Sequence, residues 1–122
     1  MTPTRTSVVT PTPTAGRELV IIETDDKPIT AYPNPYTKTD GTLSVAFTIT
    51  READSVNIKI YTVSGRLVRS IDTGPVGRGD VEAFIPKSQI DGLARGVYFY
   101  RIWARSGAEK AVSSPQKIVI LK

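Results

Sequence analysis

Apolar and polar residues alternate along most of this chain with a period of two, and no stretch holds a 3.6-residue period over a helical length. In "LSVAFTIT" (Leu43 to Thr50) the residues Leu43, Val45, Phe47 and Ile49 fall on one face. In "SVNIKIYTV" (Ser55 to Val63), Val56, Ile58 and Ile60 point one way while Asn57 and Lys59 point the other. "GVYFYRIWA" (Gly96 to Ala104) is the strongest run: it predicts Tyr98, Tyr100 and Ile102 in the core and Val97, Phe99, Arg101 and Trp103 on the outer face. Successive side chains of a strand stand on opposite faces of its sheet, so each run reads as a half-buried strand.

Weaker runs complete the pattern. "ELVIIET" (Glu18 to Thr24) is β-branched, and "ITAYPNP" (Ile29 to Pro35) carries two prolines that confine it to an edge or end it. "RLVRSID" (Arg66 to Asp72), "DVEAFIP" (Asp80 to Pro86) and "QKIVILK" (Gln116 to Lys122) follow as strands, whereas "SGAEK" reads as a turn. Residues 86–95 have room for one short helical turn at most. Asp40-Gly41 and Ser64-Gly65 mark tight turns, and Gly65 stands where a positive φ is cheap only for glycine. About seven short strands with turns at roughly eight- to twelve-residue spacing predict an all-β fold, an antiparallel β-sandwich.

The opening tract "TPTRTSVVTPTPTAG" (Thr2 to Gly16) breaks this pattern. Its prolines remove backbone donors and favour an extended chain, and its threonines add no core-forming bulk. Residues 1–17 are therefore expected to be a Thr/Pro-rich linker or stalk and residues 18–122 the folded domain. A stalk implies a load at its far end, so the chain reads as the C-terminal piece of a longer protein. Within the tract, Thr6, Ser7, Val8, Val9 and Thr10 form a β-prone segment between prolines. Such a segment suits pairing with a sheet edge of this domain or of a neighbouring copy, which would link subunits into a fibre.

Composition narrows the function. The chain has 122 residues, 39% apolar and 23% charged, with no apolar run near the ~20 residues of a membrane span. Met1 is followed by Thr-Pro, with no signal-peptide pattern. The net charge of +4 comes from 16 basic and 12 acidic residues scattered along the sequence, with no basic block of the kind nucleic acid recruits. There is neither cysteine nor histidine, which excludes disulfides, a Ser-His-Asp triad and the usual zinc ligands. Asp25-Asp26, Asp40 and Asp54 lack calcium-loop spacing and read as turn residues. "GRGD" (Gly77 to Asp80) contains the tripeptide read by animal integrins, in a stretch expected to be loop, and needs more than composition to mean anything. No pairing of acid, base or nucleophile stands out, so no enzyme, cofactor or metal is expected.

The order of "AYPNPY", "VAFTITREADSVNIKIYTVSGRLVRSI", "GLARGVYFYRIWA" and a terminal "KIVILK" resembles bacterial C-terminal immunoglobulin-like modules. Two related groups share this look: the Ig-like domain of the flagellar hook-capping protein and the C-terminal sorting domains of type IX secretion. The motifs that carry it are Tyr32 to Pro35, Ile60 to Gly65 and Gly96 to Tyr100. The tryptophan-glycine segment usual before the last motif is absent, and the region reads "FIPKSQIDGLARG".

The resemblance implies an immunoglobulin-like sandwich and a non-catalytic module of a secreted or cell-surface bacterial protein, acting in attachment, sorting or assembly. Its partners would be the parent polypeptide, the secretion machinery or neighbouring copies. A sorting role would place the recognised element at Lys117, Ile118, Val119, Ile120, Leu121 and Lys122. Tyr98, just inside its strand, matches a tyrosine corner, whose hydroxyl bonds to backbone a few residues upstream. A second reading is a carbohydrate-binding module using Phe99, Arg101 and Trp103, since aromatic rings beside a polar group hold sugar rings or anchor interfaces.

Overall fold

Two antiparallel sheets face each other across one core. The structure, a computed structural model, describes residues 19–37 and 40–121. The strands are β1 (Ile21–Ile22), β2 (Thr30–Tyr32), β3 (Leu43–Ile49), β4 (Ser55–Thr62), β5 (Leu67–Asp72) and β6 (Gly79–Ile85). A single helical turn, α1 (Lys87–Ile90), then leads into β7 (Gly96–Ser106), β8 (Glu109–Val112) and β9 (Gln116–Ile120).

In the first sheet β6 pairs with the whole of β3, while β1 and β2 share the other edge of β3 end to end. In the second, the order is β5-β4-β7, and β8 and β9 together occupy the far edge of β7. The expected immunoglobulin-like sandwich is present. The period-two reading is also correct at residue level: Phe47, Ile58, Ile60, Tyr98 and Tyr100 are all buried between the sheets, with Val56, Ile102, Ile118 and Ile120 beside them. Fully burying each such side chain contributes about 1.5–3 kcal/mol.

Two expectations change. "SGAEK" is not wholly turn. Strand β7 runs on to Ser106, Gly107 and Ala108 make the reversal, and Glu109 begins β8. The first strand is shorter than its β-branched run suggested, with two paired residues.

Three local devices fix the frame. Gly65 has φ of 95° and closes the β4–β5 turn, its N–H donating to the carbonyl of Thr62 at 2.9 Å. The Tyr98 hydroxyl donates to the Ala94 carbonyl at 2.6 Å, four residues upstream, as a tyrosine corner requires. Tyr36 is fully buried and its hydroxyl donates to the carbonyls of Asp40 and Gly41, and burial pushes its phenol pKa up. Burial likewise pushes the Tyr100 phenol up to about 12.

Candidate functional site

The outer face of the five-stranded sheet collects the side chains that the core leaves over. Along β7 these are Val97, Phe99, Arg101, Trp103 and Arg105, alternating with the buried set. Phe99, Arg101 and Trp103 are each half-buried, so the expected outer stripe exists and is partly covered by its neighbours. Cross-strand register supplies those neighbours: Tyr61 and Lys117 flank Phe99, Lys59 lies opposite Arg101, and Asn57 and Val112 flank Trp103.

The three stripe residues do not act alike. Phe99 and Arg101 join Tyr61, Thr62, Val63, Gly65 and Pro115 around an open groove of ≈ 370 Å³. Trp103 is not among the groove's lining residues. The Lys59 ammonium lies 4.6 Å from the centroid of its ring, a cation–π arrangement that occupies one indole face. The Trp103 Nε1 is buried with no hydrogen-bond partner among the described residues. The sequence thus identified Phe99 and Arg101 but missed Tyr61, which comes from β4, and Pro115, which comes from the link between β8 and β9. Tyr61 carried a signal, because it continues the outward set Asn57 and Lys59.

The cations also group differently from their order in the chain. Lys59, Arg101, Arg105, Lys110 and Lys117 come from four strands, yet the registers set all five on this one face. Scattered in sequence, they form a basic surface in space. The absence of a basic block along the sequence therefore does not carry over to the folded surface.

The closing strand is locked on both edges. One edge pairs with β7. On the other, Asn34 uses its side-chain amide as a piece of strand: Nδ2 donates to the Lys117 carbonyl at 3.2 Å and Oδ1 accepts the Val119 N–H at 3.1 Å. Tyr36 continues the pairing, its N–H donating to Val119 at 2.8 Å and its carbonyl accepting from Leu121 at 2.7 Å. The peptide bonds before Pro33 and Pro35, on either side of Asn34, are both cis. Of the expected sorting residues, Ile118 and Ile120 are core, Val119 is half-buried, and Lys117 and Leu121 are exposed. Lys122 lies outside the described residues, as do Thr6, Ser7, Val8, Val9 and Thr10.

Other motifs resolve into structure. Gly79 and Asp80 of the "GRGD" stretch begin β6 rather than lying in a loop. The Asp80 carboxylate accepts from Thr48 Oγ1 at 2.8 Å and from Lys27 at 3.4 Å, and these bonds hold its pKa below the usual carboxylate value. The Asp40 carboxylate accepts from the Thr37 N–H and hydroxyl, and Asp54 from the Gly107 N–H, so both do turn work. Glu23 straps the break between β8 and β9, accepting from the Ser114 N–H and hydroxyl and from Gln116.

Comparison with known proteins gives this arrangement a family. Residues 34–107, more than half of the chain, match the model of the FlgD Ig-like domain. The chain belongs to that family. The FlgD Ig-like match opens at Asn34, the residue that clamps β9, and closes at Gly107 in the β7–β8 turn. Strands β8 and β9, with Lys110, Pro115 and Lys117, lie beyond it. No curated protein matches the sequence. Among solved structures, the chitinase ChiW from Paenibacillus sp. strain FPU-7, described as a multi-modular enzyme machinery expressed on the bacterial cell surface, superposes with a TM-score of 0.55. The identity is 14%, over 89% of this chain and 9% of the chitinase, so the likeness concerns the fold, and this chain spans under a tenth of that protein's length.

Proposed function

We propose that this FlgD Ig-like domain is a non-catalytic module of an exported bacterial protein, serving cell-surface attachment, sorting or assembly. The chemistry of the groove carries the reading. Its side chains are one arginine, two hydroxyls and apolar groups. An arginine keeps its proton in proteins and cannot act as a base, so the groove is suited to holding a ligand rather than converting one. The likeness in fold to a module-sized part of a cell-surface enzyme supports an extracellular setting.

Within this reading, sorting and pure attachment make different demands on β9. Removing "KIVILK" would take Ile118 and Ile120 out of the core, so loss of export after that deletion would follow from unfolding alone. The informative experiment fuses a reporter to residues 28–122 and changes the exposed positions with Lys117→Glu and Leu121→Ser. Export lost from a fusion that still melts cooperatively supports sorting. Undiminished export leaves attachment or assembly.

A carbohydrate-binding role is a second reading, favoured by the placement of Tyr61, Phe99 and Arg101 around one groove. It no longer rests on Trp103, whose ring carries Lys59. Binding to immobilised polysaccharides should be lost in Phe99→Ala and kept in a variant changed on the other sheet, such as Phe84→Ala. Silence of the unaltered domain across polysaccharides would remove this reading.

A further inference from the structure

We propose that the outer face of the five-stranded sheet binds an acidic polysaccharide, with Arg101 and Lys59 holding its carboxylates and Phe99 and Tyr61 receiving the sugar ring. The proposal deepens the carbohydrate-binding reading and rests on it.

Charge placement is the leading observation. Lys59 lies directly opposite Arg101 across the β4–β7 pair, and Arg105 directly opposite Lys110 across the β7–β8 pair. Like charges opposed in this way destabilise a sheet, whereas opposite charges at the same positions would stabilise it. The chain uses opposite charges elsewhere: Lys27 pairs with Asp80 on the outer face of the first sheet, Arg51 with Glu109, and Lys87 with Asp91. On the five-stranded sheet, Asp72 at the β5 edge is the acidic residue that the registers place among the five cations, and its carboxylate accepts the Gly74 N–H. A set of cations on one face with no ion pair among the described residues, in a domain that pairs its charges elsewhere, marks a surface shaped for an anion that comes from outside. Departures from local stability rules of this kind concentrate at functional sites.

The dimensions select a polymer. Arg101 and Arg105 are separated by roughly 13 Å along β7, and Lys59 and Lys117 by roughly 10 Å across it, at the standard spacings of a sheet. A single small anion spans neither distance. A chain with a negative charge on successive units meets several of these cations together. Between them lies the groove of Tyr61, Phe99 and Pro115, of a size for a ring whose C–H face rests on the aromatics. A carboxylate beside that ring meets the guanidinium of Arg101, whose planar fork matches it in two parallel hydrogen bonds. Single-stranded nucleic acid needs successive open aromatic faces for its bases. Here Lys59 occupies a face of Trp103, which takes that face from a stacking base and favours the polysaccharide.

Affinity electrophoresis of the full chain through gels containing polygalacturonate tests this. Heavily methyl-esterified pectin keeps the same backbone with its charges removed, and oligo-dT supplies an anionic polymer of another class. Polygalacturonate should retard the protein at low salt, with the effect weakening as salt screens the contacts. Arg101→Gln and Phe99→Ala should each weaken retardation at least about tenfold, the loss expected for a desolvated anchor. Lys27→Gln, in the β1–β2 turn beside Asp80 of the other sheet, should leave it unchanged. Arg101→Gln alters only the outer face, so it tests the idea even where Phe99→Ala loosens the fold. Equal retardation by the esterified pectin would overturn the acidic ligand while sparing carbohydrate binding. Absence of retardation by both pectins would overturn the proposal, and silence across neutral polysaccharides as well would remove the reading beneath it. Retardation by oligo-dT as strong as by polygalacturonate would overturn the choice of polymer.

Discussion

The two faces of strand β7 carry residues that alternate in sequence but answer to different physics. Tyr98, Tyr100 and Ile102 face inward and are buried against the opposite sheet. Phe99, Arg101 and Trp103 face outward, half-covered by Tyr61, Lys59 and their neighbours. On the inner face each side chain is held by close packing or, for Tyr98, by a hydrogen bond to backbone. On the outer face like charges oppose one another and an indole N–H lacks a partner among the described residues. The inner face explains why the chain folds, and the outer face is organised around something other than folding. Substitutions on the two faces should therefore separate cleanly into those that unfold the domain and those that alter what it holds.

The largest expected effect is in the core. Phe47→Ala should lower unfolding stability by about 3–5 kcal/mol, through lost transfer energy and the cavity left behind, as read by urea denaturation. A loss under 1 kcal/mol would mean the two sheets do not close on Phe47. Next comes alkaline pH. The Tyr100 phenol is raised to about 12 in the folded protein, above the usual ~10, so the folded state keeps its proton where the unfolded state has lost it. Stability should fall as pH rises from about 10 to about 12, by up to ~1.4 kcal/mol per pH unit from this group, and Tyr100→Phe should flatten the decline. Between about pH 6 and 8 it should stay nearly constant, because the chain has no histidine.

Smaller effects belong to single hydrogen bonds. Asn34→Ala removes two bonds along the outer edge of β9 and should cost about 1–3 kcal/mol, with faster amide exchange at Val119. Tyr98→Phe removes only the hydroxyl bond to Ala94 and should cost about 1 kcal/mol. If either change is silent, the corresponding bond is not maintained in solution.

The inner face was legible in the sequence because alternation is local. Each of β3, β4 and β7 declares its buried positions within a few residues, and the tyrosine corner needs only Tyr98 and its strand. Strand β8 was hidden by the glycine of its own turn: Gly107 reads as loop, and the four residues after it are too few to show a period. The outer face was half legible. Phe99, Arg101 and Trp103 follow from the register of one strand, but Tyr61, Pro115 and the apposition of Lys59 to Arg101 depend on which strands pair and in what register. The role of Asn34 was equally hidden. "YPNPY" marks a family resemblance in sequence, and only the paired strands show its amide closing the edge of β9.

The division between the two faces of β7 is tested most directly at Arg101, by measuring unfolding stability and polygalacturonate binding in the same Arg101→Gln variant. Removing one of two opposed cations should leave stability within about 0.5 kcal/mol of the original, or raise it, while binding falls at least about tenfold. A variant that binds unchanged, or that loses more than about 1 kcal/mol of stability, would show that Arg101 serves the fold and would contradict the account.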